Sequence, residues 1–172
     1  VRNQLTIAGV PVGREIGGGR RRFAGADPHH PAGLSVGETG SIIIIIATDA
    51  PLLPHQLKRL ARRASLGLAR TGAVSGNGSG DLFLAFSTAN VTGAARESSP
   101  GEGVQEFRAS TFQALTNEGM NPLFESTVEA VEEAIVNALI AGEPMTGRDD
   151  HAIEALPVAR MQEILKKYNR FK

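Results

Sequence analysis

Three side chains carry the chemistry that this sequence can offer: Ser41, Ser79 and Asp81. Ser41 follows Gly40 at a hard composition boundary. A Gly-rich polar run precedes the pair, and five isoleucines, Ile42 to Ile46, follow it. A hydroxyl at the head of a buried strand suggests a particular reaction. If the Gly40-Ser41 bond were cut, Ser41 would become a chain terminus, and its own α-amino group could serve as base for its hydroxyl. The alternative is an ordinary junction between loop and strand. Ser79 and Asp81 lie two residues apart in a run rich in Gly, Ser and Asn, Ala73 to Asp81. That run is either a tight connection or a loop presenting both residues at an active site. Its Gly76, Asn77 and Gly78 superficially suggest a phosphate cradle. The run lacks a Walker lysine, does not match G-x-G-x-x-G, and leads into a strand rather than a helix, so the phosphate reading fails.

Composition narrows the classes. The 172 residues correspond to one domain or most of one. Eighteen basic residues balance eighteen acidic ones, so no global field points to nucleic acid or a membrane surface. The absence of cysteine excludes disulfides, thiolate zinc sites and a cysteine nucleophile. Adjacent His29 and His30 form a poor metal site, with no carboxylate at helical spacing, and no metal or cofactor is expected. The first residues lack the apolar core of a signal peptide, and no run of 18 apolar residues exists. The expected location is therefore the cytoplasm, with the periplasm open.

The elements that must position these residues follow in chain order. Leu5 to Gly13 alternates and reads as a short strand. Gly13 to Gly40 holds eight glycines in 28 residues, with Arg20, Arg21 and Arg22 in its midst, and reads as a flexible linker. Ser41 to Ala47 is β-branched almost throughout and is expected to be a central strand buried on both faces. His55 to Thr71 carries Leu57, Leu60, Ala61, Ala64 and Leu68 on one helical stripe, with Lys58, Arg59, Arg62, Arg63 and Arg70 on a solvated face. Pro54 suits its first turn and Gly72 its C-terminal cap. Leu82 to Ser87 is a second buried strand. Thr88 to Gly103 reads as loop, and Val104 to Ala114 is undecided between strand and helix. Asn121-Pro122 opens the longest helix, with Phe124, Val128, Val131, Ile135, Ala138 and Leu139 inward and Gly142 as its stop. Met145 to Ala155 reads as loop. Pro157 to Asn169 is a terminal helix with Val158, Met161, Ile164, Leu165 and Tyr168 inward. Strands buried on both faces need helices on both sides, which predicts a layered α/β sandwich.

The run Gly40-Ser41-Ile42-Ile43-Ile44-Ile45-Ile46-Ala47-Thr48-Asp49-Ala50-Pro51-Leu52-Leu53-Pro54-His55-Gln56-Leu57, then Arg62-Arg63-Ala64 and Gly76-Asn77-Gly78-Ser79-Gly80-Asp81, closely resembles the L-aminopeptidase/D-Ala-esterase/amidase family, which includes the β-aminopeptidases. Leu5 to Gly13 looks like the last strand of that family's α subunit, and Phe124 to Leu139 like a late helix of its β subunit. The resemblance implies an αββα sandwich like that of N-terminal nucleophile hydrolases. It also implies residues 1–12 as the end of the α subunit, 13–40 as a linker, and 41–172 as a layer beginning at the nucleophile.

The resemblance implies further that a precursor cuts itself at Gly40-Ser41, that Ser41 is then the N-terminal nucleophile, and that Ser79 and Asp81 support it. The expected substrate is a short peptide or amino-acid amide, cleaved through an acyl-enzyme. An Asn and a Tyr of the family's α subunit are matched to no residue here, and Asn3 is not equated with that Asn. Two other readings remain. One is a non-catalytic fragment that assembles with a partner α chain. The other is an acyltransferase of the ornithine acetyltransferase type, against which Ser41 argues because that group usually uses Thr. An α-subunit segment and further copies of the chain are the expected partners, the copies because an all-Ile strand in half a sandwich exposes apolar surface.

Overall fold

A computed structural model describes residues 4–16, 40–90, 111–150 and 152–171. Helix α1 (Val12–Glu15) comes first, then strand β1 (Ile43–Thr48), helices α2 (Pro54–Ala61) and α3 (Ala64–Arg70), and strand β2 (Leu82–Ser87). A 3-10 turn over Glu118–Met120 leads into α4 (Asn121–Ala141). Short strands β3 (Met145–Thr146) and β4 (Ala152–Ile153) precede helix α5 (Val158–Lys167).

The frame for the site is a β–α–α–β unit. β1 and β2 pair in parallel, with Ile43 opposite Leu82 and Thr48 opposite Ser87. Parallel neighbours cannot be joined by a tight turn, and α2 with α3 supplies the crossover. α2 starts at Pro54, whose fixed φ and missing N–H suit a first turn. Gln56 completes that start: its Oε1 accepts the Leu53 N–H at 3.0 Å, and its Nε2 donates to the Leu115 carbonyl at 2.8 Å. Both bonds satisfy a polar side chain that is only 3% exposed.

The helix expected over residues 55–71 is two helices. At Arg62-Arg63 the backbone tightens, and the Arg63 N–H reaches the Leu60 carbonyl at 2.9 Å, a three-residue step. The bend lets α3 turn against α4, where Gly67 meets Val128 and Val131. The basic face is not simply solvated. Arg63 stacks 3.8 Å over the Phe124 ring, Arg59 bonds Asn117 Oδ1 at 2.8 Å, and Arg70 pairs with Glu132 at 3.2 Å. Gly72 ends α3 with φ +96, as a C-terminal cap requires.

Burial of the strands on both faces is overturned. Exposed and half-buried residues alternate along both strands. Ile46 and Ala85 pack on the cluster of Leu52, Leu60 and Met120, while Ile43 and Ile45 stay more than half exposed at 69% and 61%. A run of isoleucine is compatible with strand on either face, so the pattern cannot say which face the chain covers. The helices of the described residues cover one.

The strand expected over Leu5 to Gly13 is not formed. Ala8 (φ 50) and Gly9 (φ 77) make a tight turn that bridges Ile7 to Val10, and α1 follows directly. Two left-handed residues in succession reverse the chain where a strand would continue. Ile7, Val10 and Val12 then form a second core with Met161, Ile164 and Leu165 of α5.

Three smaller differences follow from packing. Ala138 and Leu139 lie on the exposed end of α4. Tyr168 is 40% exposed, its hydroxyl donating to Glu15 Oε1 at 2.8 Å. The segment read as loop, 145–155, contains the antiparallel pair β3–β4. The arginine knot, His29, His30, most of the linker, and residues 104–110 of the undecided element lie outside the described residues.

Candidate active site

The parallel register builds the site. Because Ile43 faces Leu82, the residues just before each strand meet: Ser41 and Ile42 on one side, Gly80 and Asp81 on the other. The Gly80 N–H donates to Ser41 Oγ at 3.0 Å. The Ile42 N–H donates to Asp81 Oδ1 at 3.1 Å. One rung on, the Leu82 N–H reaches the Ile42 carbonyl at 2.9 Å. The Asp81 carboxylate therefore supplies the rung that precedes the backbone ladder, and the seryl hydroxyl takes a backbone donor beyond it.

The other oxygen of Asp81 has its own partner. Ser75 Oγ donates to Asp81 Oδ2 at 2.7 Å. Hydrogen bonds from Ser79, then Ser75, hold the Asp81 carboxyl below its usual range against the opposing effect of burial, and the Ile42 N–H adds a lesser pull in the same direction. Asp81 is thus an anion at neutral pH and acts there as an acceptor. The turn that brings these groups round is closed by the Ser79 N–H on the Gly76 carbonyl at 2.9 Å, with Asn77 and Gly78 at its centre. Ser41 and Ser75 are exposed, and Ser79 and Asp81 are half-buried, so the cluster is open to solvent.

All three chemically promising residues of the sequence come together, and Gly40 leads into them. Three participants were not legible beforehand: Ser75, the Gly80 N–H and the Ile42 N–H. Ser75 could have been suspected as a hydroxyl in a Gly/Asn turn six residues before an acid, since such turns fold side chains back on the chain. The two backbone donors depend on the pairing of strands that lie 39 residues apart.

A groove of about 490 Å³ lies between β1 and α4, lined by Ile42, Ile44, Thr127, Ala134 and Ile135 among others. It reaches Ile42 but not Ser41, Ser79 or Asp81. Among the described residues no group of three or more His, Asp or Glu is placed to hold a metal ion, and no helix is long and apolar enough to cross a membrane.

Comparison with known proteins finds relatives along almost the whole chain. A β-peptidyl aminopeptidase of Sphingosinicella microcystinivorans is 42% identical over 177 residues, covering 99% of this chain and 41% of the relative. The solved L-aminopeptidase D-Ala-esterase/amidase of Ochrobactrum anthropi, a prototype for the serine aminopeptidases with a variant of the Ntn hydrolase fold, is 40% identical with a TM-score of 0.74. The match covers 99% of this chain and 41% of that one. The crystal structure of the PH0078 protein of Pyrococcus horikoshii OT3 is 44% identical with a TM-score of 0.75, over 98% of this chain and 40% of that one. The chain thus spans about two fifths of the length of these relatives, and its α/β fold is that of the Ntn hydrolase-like aminopeptidases. A model of peptidase family S58 matches residues 1–153, and the chain belongs to that family.

Proposed function

We propose that this chain carries the nucleophile-bearing part of a self-processing serine aminopeptidase or amidase. The observation that carries the reading is the pairing of Ser41 Oγ with the Gly80 N–H, beside an ionised Asp81. Ser41 is the nucleophile, Gly40-Ser41 the processing site, and Ser79 and Asp81 the groups that support it, with Gly76, Asn77 and Gly78 shaping their loop.

In the uncut chain Ser41 Oγ attacks the Gly40 carbonyl carbon, and the hydroxyl proton passes to the Ser41 nitrogen as that nitrogen leaves. The C–N bond to Ser41 breaks, leaving an ester between Gly40 and Ser41 Oγ and a free α-amino group. Water hydrolyses the ester, and Ser41 becomes a terminus. Its α-amino group, with an ordinary pKa of about 7.7–8.0, is partly neutral near pH 7.5 and can take the hydroxyl proton in the next cycle. Attack on the carbonyl of a short peptide or amino-acid amide then gives an acyl-enzyme, which water releases. Both steps develop an oxyanion that needs donors. The relatives' names, β-peptidyl aminopeptidase and L-aminopeptidase D-Ala-esterase/amidase, support this substrate class.

Assembly with an α-subunit segment and with further copies fits the open sheet face of Ile43, Ile45, Leu82, Leu84 and Phe86. Denaturing mass spectrometry of the purified chain tests the central claim. A new terminus at Ser41, absent from Ser41→Ala, is the expected result. Scission at the same bond in Ser41→Ala refutes the nucleophile assignment.

A further inference from the structure

We propose that Ser75 is a positioning residue for Ser41, acting through Asp81 and the backbone of Ile42. The inference rests on Ser41 as the reacting group for its catalytic consequence, though not for its geometry.

A carboxylate turns readily about its last side-chain bond, because that torsion joins tetrahedral to planar carbon and has no sharp wells. Donors on both of its oxygens hold it in one plane. Asp81 takes a hydrogen bond from Ser79 and has donors on opposite oxygens: the Ile42 N–H on Oδ1 at 3.1 Å and the Ser75 hydroxyl on Oδ2 at 2.7 Å. Together with Ser79, Ser75 sets the plane of the carboxylate and keeps Oδ1 aimed at residue 42. Ile42 is the residue next to Ser41. Its N–H finds its partner in this side chain rather than in a strand, so the carboxylate determines where the chain leaves the ladder. That seat brings Ser41 Oγ to the Gly80 N–H at 3.0 Å.

Ser75 is held for this contact. Its φ of 45 lies in the left-handed region, which costs a serine more than a glycine. A turn needing only that backbone shape is better served by glycine. The hydroxyl, and not the turn, is what glycine would lack.

That difference makes the test. Ser75→Gly keeps the turn and removes the donor. Ser75→Asn tolerates the same backbone and restores an N–H donor on a longer side chain. The full 172-residue chain is compared in each form, and in the Ser41→Ala background for the measurements that do not need reaction. Amide hydrogen exchange at Ile42 and the carboxyl ¹³C titration of Asp81 report the geometry. The rate at which a fluorophosphonate labels Ser41, followed against pH by intact mass, reports the chemistry.

Ser75→Gly is expected to speed Ile42 exchange about tenfold, the scale of one hydrogen bond to a charged group. It should move the Asp81 titration toward higher pH and slow labelling about tenfold, with no loss of thermal stability. Ser75→Asn should recover part of each change. In Asp81→Asn, adding Ser75→Gly should change nothing further, because the path through the carboxylate is already broken. Ile42 exchange and Asp81 titration at wild-type values in Ser75→Gly overturn the proposal. A parent chain whose Ser41 never labels, but whose Ile42 exchange responds as stated, refutes the nucleophile reading and upholds the hold of Ser75 on the strand start.

Discussion

The Gly80 N–H lies 3.0 Å from Ser41 Oγ, across a strand pair whose members are separated by two helices in sequence. The contact has a steric condition. A Cβ on residue 80 would stand 3.2 Å from that same oxygen, closer than ordinary packing permits. Glycine here gives the hydroxyl both a donor and the room to reach it.

Gly80→Ala therefore tests the seat of Ser41 directly. The N–H remains, but the hydroxyl must shift by a few tenths of an ångström or turn away. Labelling of Ser41 should slow by roughly tenfold to a hundredfold, as small displacements of reacting groups do. The melting temperature should stay near that of the parent, since residue 80 is exposed. Unchanged labelling kinetics would show that the contact does not position the hydroxyl.

Asp81 gives a pH dependence with a definite sign. Its folded pKa lies below the ordinary aspartate value of 3.8, chiefly through the Ser79 hydroxyl. The contribution is fully present above that ordinary value and fades as pH falls through the lowered one. Urea unfolding of parent and Asp81→Asn should differ by a constant amount above about pH 5 and converge in stronger acid. The difference should be small, because Asp81 is close to solvent.

Gln56 is the buried polar residue on which the start of α2 depends. Gln56→Ala leaves the Leu53 N–H and the Leu115 carbonyl without their partner. A cost of about 1–3 kcal/mol is expected for such unpaired groups. Differential scanning calorimetry should record a fall of about 2–4 °C per kcal/mol in a chain of this size. A variant as stable as the parent would mean that water replaces the amide at no cost.

The N-terminal segment is tied to the last helix by Glu15. Tyr168 donates to its Oε1 at 2.8 Å and Lys167 pairs with Oε2 at 3.1 Å. Tyr168 first, then Lys167, lowers the Glu15 pKa, while the same contact raises that of Tyr168. The tie is thus complete near neutrality. It weakens as pH falls through the lowered Glu15 value and as pH rises through the raised Tyr168 value. Hydrogen exchange over residues 5–16 should quicken in Glu15→Gln and at either pH extreme. Exchange unchanged in Glu15→Gln would assign the docking wholly to Ile7, Val10 and Val12.

Much of the local structure could be read from residue order alone. Pro54 and Pro122 mark helix starts because they fix φ and need no N–H partner, and Gly72 marks an end because it adopts positive φ. The β-branched run after Ser41 could only be extended. Ser41, Ser79 and Asp81 stood out as hydroxyls and an acid beside turns. Tertiary structure decided the rest. Which face of the isoleucine run is covered depends on the helices available to it, and Ala8-Gly9 reversed a chain whose alternation suggested a strand. The bend at Arg62-Arg63 follows from α3 seating on α4. Above all, the parallel register between residues 39 apart brought the Gly80 N–H to Ser41 and the Ile42 N–H to Asp81. Backbone donors carry no mark in a sequence, and only strand pairing says which side chain they meet.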